Sequence, residues 1–302
     1  MNKIKSQIRI GSRGSRLALL QAGEVKKLLL ENLDWEEDRI EIFTIKTLGD
    51  KITDRPFREL EGKGVFCREI EKEIITGNID IGVHSLKDMP FEQPEGLAMA
   101  GFLKRENPLD VLISRKGETI ESLPAGLRIG TSSIRRQKQI LSANPEVAVV
   151  DIRGNIDSRI GKWETGDVEG IVLAAAGLNR MGIWDIPRYE IPVETCLPAP
   201  AQGVICLETH KDEEWLNSLI EGISHNPTRI QATTERYFLN TLEGSCELPV
   251  GALAEIKGPN ITLTGEFFSE KKGQLLRGMK TGPIVSHLDL GRELAESLLS
   301  RE

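Results

Sequence analysis

From Ile8 to Met181 the chain alternates short β-branched runs with segments of helical periodicity, and this alternation restricts the fold more than any other feature. Ile8–Gly11 reads as a strand. Ser15–Glu31 reads as a helix, with Leu17, Leu20, Val25 and Leu28 at helical spacing, and Ile40–Lys46 as the next strand. A helix at Val65–Ile75 and strands at Ile79–Val83 and Ala98–Phe102 follow, joined by loops rich in Gly, Asp or Pro. Such a series predicts a mainly parallel, helix-flanked sheet.

A polar K-R-E-N-P stretch at Lys104–Pro108 interrupts the series and marks a domain crossing. A second series then runs through strands at Val111–Ser114 and Leu127–Gly130, a helix at Ser133–Ala143, a strand at Val147–Ile152 and a helix near Ile156–Glu164. A strand at Gly170–Ala174 leads into Ala175–Met181, and the series closes around Pro187–Pro200. The apolar, small-residue segment Leu197–Leu207 is placed to return to the first sheet, the arrangement of a hinged two-lobed binder. After Asn226–Pro227 the order changes to a long helix at Thr228–Leu242, three strand-like runs and a last helix at Val285–Ser300, which predicts a small α+β domain with an antiparallel sheet. The expected division is 1–103 with 200–221, 108–197, and 226–302.

A length of 302 residues suits two or three well-filled domains. With 39 basic and 46 acidic side chains the formal charge is −7, which disfavours nucleic-acid binding by a basic surface. Met1–Leu20 has no sustained apolar core and does not read as a secretory signal, and no stretch approaches the ~20 apolar residues of a membrane span. Cys67, Cys196, Cys206 and Cys246 stand far apart without a C-x-x-C pair, which argues against a zinc site or a disulfide framework. A reducing cytoplasm is the expected compartment.

Ligands of open α/β sheets sit outside the carboxyl ends of the strands, and here those loops are loaded with cations. G-S-R-G-S-R carries Arg13 and Ser15, E-G-K-G-V-F carries Lys63, and H-S-L-K-D-M-P carries Lys87 and Asp88. In the second series, G-T-S-S-I-R-R places Thr131, Ser132 and Ser133 at a strand end and helix start, with Arg135 and Arg136 in the first turn. Two cations at a helix N-terminus oppose the macrodipole, so the pair suggests an anionic ligand that offsets the repulsion. Arg153, Gly154 and Arg159 in R-G-N-I-D-S-R, and Arg180 in A-A-A-G-L-N-R, follow further strands.

Read singly, each arginine is a solvated surface residue. Gathered at successive strand ends of an acidic protein, they point to a small polyanion held in a cleft, because Arg pairs carboxylates and phosphates bidentately. Neither a P-loop nor a dinucleotide fingerprint is present, which favours carboxylates. Asp88 is the acid best placed for chemistry, its alternative being a turn residue; His84 reads as packing at a strand end. Cys246, in the small-residue loop E-G-S-C-E-L-P, is either a nucleophile or an inert half-buried thiol, and the other three cysteines read as packing residues.

The motifs R-I-G-S-R-G-S-R-L-A-L, T-L-G-D, G-K-G-V-F, H-S-L-K-D-M-P, L-P-A-G-L-R-I-G-T-S-S-I-R-R, D-I-R-G-N-I-D-S-R, L-A-A-A-G-L-N-R-M-G, the Gln202–Gly203 segment and L-E-G-S-C-E-L-P occur in one order. Together the chain resembles the porphobilinogen deaminase (hydroxymethylbilane synthase) family along essentially its full length. The resemblance implies two α/β lobes like those of a periplasmic binding protein, with mainly parallel or mixed sheets, and a C-terminal α+β domain carrying a cofactor cysteine. It implies a covalent dipyrromethane cofactor on Cys246, which primes the head-to-tail condensation of four porphobilinogen molecules with loss of ammonia, before water releases hydroxymethylbilane. The implied catalytic aspartate is Asp88. The growing chain is a polycarboxylate, which the family's cations, here Arg13, Arg135, Arg136, Arg153, Arg159 and Arg180, would bind. Lys63, Lys87, Ser15 and Ser132 map onto ligand-contacting positions, and Thr131, Ser133, Gly154 and Gln202 lie within the matching motifs. A monomer without nucleic-acid or membrane partners is the implied state. Arg16, Asn107, Ala201 and Glu247 depart from the commoner pattern, where Pro, Asp and Gly are usual at the first three. A non-catalytic two-lobed polycarboxylate or tetrapyrrole binder is the competing expectation.

Overall fold

The computed structural model describes residues 6–51, 64, 66–115, 119–242 and 249–302; Lys63, Cys246 and Glu247 lie outside the described residues. In chain order the first elements are β1 (Ile8–Arg13), α1 (Arg16–Leu33), β2 (Ile40–Ile45), α2 (Leu48–Lys51), α3 (Arg68–Ile75), β3 (Ile81–Ser85) and β4 (Leu97–Phe102). Then come β5 (Asp110–Ser114), β6 (Arg128–Gly130), α4 (Ile134–Ala143), β7 (Ala148–Val150), α5 (Ile156–Glu164), β8 (Gly170–Ala174), α6 (Ala175–Arg180) and β9 (Arg188–Glu190). The last are β10 (Ile205–His210), α7 (Glu214–Ile223), α8 (Asn226–Leu242), β11 (Val250–Lys257), β12 (Asn260–Ser269), β13 (Gln274–Pro283) and α9 (His287–Leu299). The chain divides into two compact units, Met1–Arg105 with Val204–Arg229, and Glu106–Gly203 with Ile230–Glu302.

In the first unit a five-stranded sheet has the order β2-β1-β3-β10-β4, with β1 parallel to β2 and β3, and β10 antiparallel to β3 and β4. The returning segment read from Leu197–Leu207 thus does reach this sheet, as its fourth strand. In the second unit the order β7-β6-β8-β5-β9 repeats the scheme, with β6 parallel to β7 and β8, and β5 antiparallel to β8 and β9. Both sheets are therefore mixed. Their neighbouring parallel strands end on a common edge, and that edge receives the cation-bearing loops.

Alternation along the strands decides what covers each face. In the first unit Ile8, Ile10, Ile81, Val83, Ile205 and Leu207 point to one side, where α1 packs Ala22, Val25 and Leu29 and α7 packs Leu216 and Ile220. Burying each such aliphatic side chain stabilises the fold by about 1.5–3 kcal/mol relative to exposure. The opposite face is covered by α3 through Ile70 and Ile74. The antiparallel β11-β12-β13 sheet is closed by Phe238 and Leu242 of α8 and by Leu290, Leu294 and Leu298 of α9. Within the second unit it is tied to the rest by Gln139 Nε2 donating to Glu266 Oε1 at 2.7 Å and by Arg277 donating to the carbonyls of Val193 and Glu194.

The end of the second unit's first segment is sharply bent. Ala201 has φ +61° and Gly203 φ +89°, both in the left-handed region. Ala201 is held there by its N–H donating to the buried carboxylate of Glu235, 2.6 Å away. Gly203 is irreplaceable on two counts, since a Cβ there would also lie 2.4 Å from the Glu106 carbonyl oxygen. Gly203→Ala is expected to cost at least about 2 kcal/mol, read as a lowered denaturation midpoint; an unchanged midpoint would contradict this packing.

Candidate active site

In the first unit, β1 and β3 are adjacent and parallel, so the turns after them lie side by side. Ser15 caps α1 by accepting from the Ala18 N–H at 3.3 Å, which fixes the start of the helix directly after Arg13. The Arg13 guanidinium stacks over the Phe66 ring at 4.1 Å. After β3 the chain makes a single 3-10 turn, Leu86–Asp88, whose first residue is wholly buried and donates its N–H to the Val204 carbonyl. Leu86 therefore anchors the turn from within while Lys87 and Asp88 project into solvent. The Asp88 carboxylate has no hydrogen-bond or ion-pair partner among the described residues. An exposed acid that is not consumed by a structural bond is available to a ligand.

In the second unit, the turns after β6, β7 and β8 line one sheet edge. Thr131 is buried, and its hydroxyl accepts from the Ser133 N–H at 3.2 Å. The Ser132 hydroxyl donates to the Ile152 carbonyl, which joins the β6 and β7 turns. Ser133 caps α4 by accepting from the Arg136 N–H. Past β7, Arg153 pairs with Asp151 at 3.1 Å and Arg159 donates from Nε to the Gly154 carbonyl at 2.9 Å. Gly154 takes φ +108°. Arg180, in the last turn of α6, donates to the Gly203 carbonyl at 3.1 Å.

Arg135 and Arg136 carry an internal counter-charge. From the sequence, their repulsion awaits a ligand's carboxylates; in the structure both side chains are buried and the counter-charge is internal. Asp110, at the start of β5 and fully buried, accepts from Arg135 at 2.7 Å through one oxygen and from Arg136 at 2.6 Å through the other. Gln202 adds a bond at 2.9 Å to the same carboxylate. Arg135 also donates to Gln139, to the Cys196 sulfur and to the Leu197 carbonyl. Arg136 donates to the Val172 carbonyl, while its Nε is buried without an acceptor among the described residues. Burial alone would raise the Asp110 carboxyl, but the two guanidiniums, with hydrogen bonds from Arg136 and Gln202, hold it far below the usual carboxylate range.

Asp110 escaped the sequence reading, although an acid opening the otherwise apolar run D-V-L-I-S is a signal that something must neutralise it. Cys67, Cys196 and Cys206 are buried free thiols, as their apolar contexts suggest. Among the described residues no group of His, Cys, Asp and Glu is arranged to hold a metal ion, and no helix is long and apolar enough to cross a membrane.

Two family models match the sequence: "Porphobilinogen deaminase, dipyromethane cofactor binding domain" over residues 8–218 and "Porphobilinogen deaminase, C-terminal domain" over residues 229–300. The chain belongs to the porphobilinogen deaminase family. Among its relatives, the porphobilinogen deaminase of Syntrophus aciditrophicus (strain SB) is 43% identical over 292 residues, covering 97% of this chain and 95% of that protein. That of Paracoccus denitrificans (strain Pd 1222) is 40% identical over 297 residues, covering 98% and 95%. Among solved structures, the periplasmic aliphatic sulphonate binding protein SsuA of Escherichia coli superposes with a TM-score of 0.43 at 12% identity, covering 80% of this chain and 71% of that one. Membership makes this chain an enzyme of tetrapyrrole synthesis with a dipyrromethane cofactor.

Proposed function

We propose that this chain is a hydroxymethylbilane synthase: a transferase that joins four porphobilinogen molecules head to tail on a dipyrromethane attached to Cys246, then releases the linear tetrapyrrole with water. The observation that carries this reading is the exposed Asp88 carboxylate, without a partner among the described residues, on a turn beside the Arg13 turn.

The residues present fit the cofactor. A dipyrromethane offers pyrrole N–H donors and acidic side chains, and the sheet edge of each unit, taken by itself, offers complementary groups. In the first unit Asp88 accepts from N–H while Arg13, Lys87 and the Ser15 hydroxyl meet carboxylates; in the second unit Arg153, Arg159, Arg180, the Ser133 hydroxyl and the open backbone at Gly154 do so. Lys63 joins this set by motif. Arg135 and Gln202, engaged with Asp110, hold the α4 start in place. When bound, the cofactor supplies the free pyrrole carbon to which each new unit is added.

Asp88 then acts electrostatically. As ammonia leaves porphobilinogen, positive charge spreads over the pyrrole ring, and a fixed carboxylate stabilises it without solvent reorganisation. The same carboxylate orients the ring by accepting its N–H. The C-terminal residues 226–302 form, in this reading, a third domain that presents Cys246. Cytoplasmic location, supported by three free buried thiols, and a monomeric state complete the proposal.

The test is stoichiometric. Incubated with porphobilinogen, the purified protein is expected to release four ammonia molecules for each linear tetrapyrrole formed. Porphobilinogen bound without ammonia release would instead identify a non-catalytic binder.

A further inference from the structure

Beneath the Asp88 turn the sheet face covered by α3 is not wholly apolar. His84 on β3 and Glu208 on β10 are both buried, and His84 Nε2 lies 3.1 Å from Glu208 Oε2. The strands are antiparallel with Glu208 opposite Gly82, so His84 reaches its partner by leaning across the glycine. A Cβ on Gly82 would sit 2.8 Å from that same Nε2. Glu71, on the inner face of α3, is 5% exposed, and its Oε1 has no hydrogen-bond partner among the described residues. Neither oxygen of Glu208 accepts a hydrogen bond of good geometry. Buried, underbonded carboxylates are expensive, and none of these three groups belongs to the chemistry assigned above.

The cluster is joined to the turn on two sides. His84 precedes Ser85, which exchanges side-chain hydrogen bonds with Gln21 at 3.0 Å and leads straight into Leu86–Asp88. On the other side Cys67, one helical turn before Glu71, donates from Sγ to the Asp88 carbonyl at 3.7 Å. The Glu71 N–H in turn donates to the Cys67 carbonyl. Among the described residues the ionisable groups acting on Glu71 are Arg68 and Glu69 on α3, His84 on β3 and Glu208 on β10, while Cys67, the residue before α3, faces Glu71, Glu208, Cys206 and Asp88.

We propose that Glu71, seated beside the His84–Glu208 pair and one turn below the Cys67 contact, is a positioning residue whose protonation keeps the Asp88 turn docked. Uncharged, it fits under α3. Ionised, it places a second carboxylate charge against Glu208 in a dry site and drives the α3 start, with Cys67, away from the turn. Burial and the Glu208 charge push the Glu71 carboxyl up to about 7, against the opposing pull of His84 and Arg68, so the change falls near neutral pH. This inference rests on the reading of Asp88 as the catalytic acid.

The experiment uses the cofactor-loaded protein, its Glu71→Gln variant and Asp88→Asn. Elongation rate should fall on the alkaline side in the parent, and Glu71→Gln should move that limb up by at least about one pH unit with KM unchanged within about twofold. In the parent itself, hydrogen exchange of the Leu86 and Met89 amides, corrected for the intrinsic pH dependence, should lose about tenfold protection between pH 6 and 8.5. That readout needs neither turnover nor a folded variant. An unshifted limb in Glu71→Gln, or pH-independent protection in the parent, overturns the proposal while inactive Asp88→Asn leaves the catalytic reading standing. An active Asp88→Asn would bring down both.

Discussion

Asp88→Asn is expected to fold like the parent and to lose at least about 10²-fold in elongation rate, the scale of removing a preorganised electrostatic stabiliser. Folding should be spared because the turn is held by Leu86, whose buried side chain and N–H bond to Val204 are independent of the Asp88 carboxylate. The Asn side chain still accepts a pyrrole N–H through its carbonyl oxygen, so binding of porphobilinogen should change less than turnover. A variant that keeps more than a tenth of the parental rate, measured as ammonia released, would refute the role given to Asp88.

Asp110→Asn is expected to damage the fold rather than the chemistry. Removing the carboxylate bonded to both Arg135 and Arg136 leaves two buried guanidiniums facing each other, at a cost of about 3–5 kcal/mol. The sign of the pH dependence follows from the depressed folded-state pKa of Asp110. Its contribution is complete above the ordinary carboxylate range near ~4 and is lost as pH falls below it, so the parent should weaken in acid. Denaturant midpoints of parent and variant should therefore stay apart from pH 7 to about 4 and only begin to approach each other by pH ~3, because the depressed folded-state pKa keeps Asp110 ionised there. A loss below about 1 kcal/mol at pH 7 would mean that the cluster behaves like a surface ion pair.

Legibility from sequence followed periodicity. α1, the strands β5 and β8, and the long α8 were readable because apolar residues recur at one spacing throughout each. β9, the polar triplet R-Y-E, has no alternation to show and exists because β5 offers it an edge. α7 follows the polar run K-D-E without a capping side chain, so its start carries no signal. The cation-bearing loops were legible as post-strand loops, since within each unit chain order alone places them at one edge of that unit's sheet. The fate of individual cations was not. Arg135 and Asp110 are 25 residues apart, and only the antiparallel insertion of β5 beside β8 brings the acid under α4. Likewise Glu71, His84 and Glu208 come from three distant segments, and nothing local in any of them announces the other two.

The central claim is a covalent primer on Cys246, and intact mass measures it without assuming activity. The protein and its Cys246→Ser variant are to be expressed in cells that make porphobilinogen, purified, and weighed side by side. The parent is expected to carry added mass equal to two porphobilinogen units less their lost ammonia, and the variant none. An unmodified parent, or the same added mass on Cys246→Ser, would contradict the account.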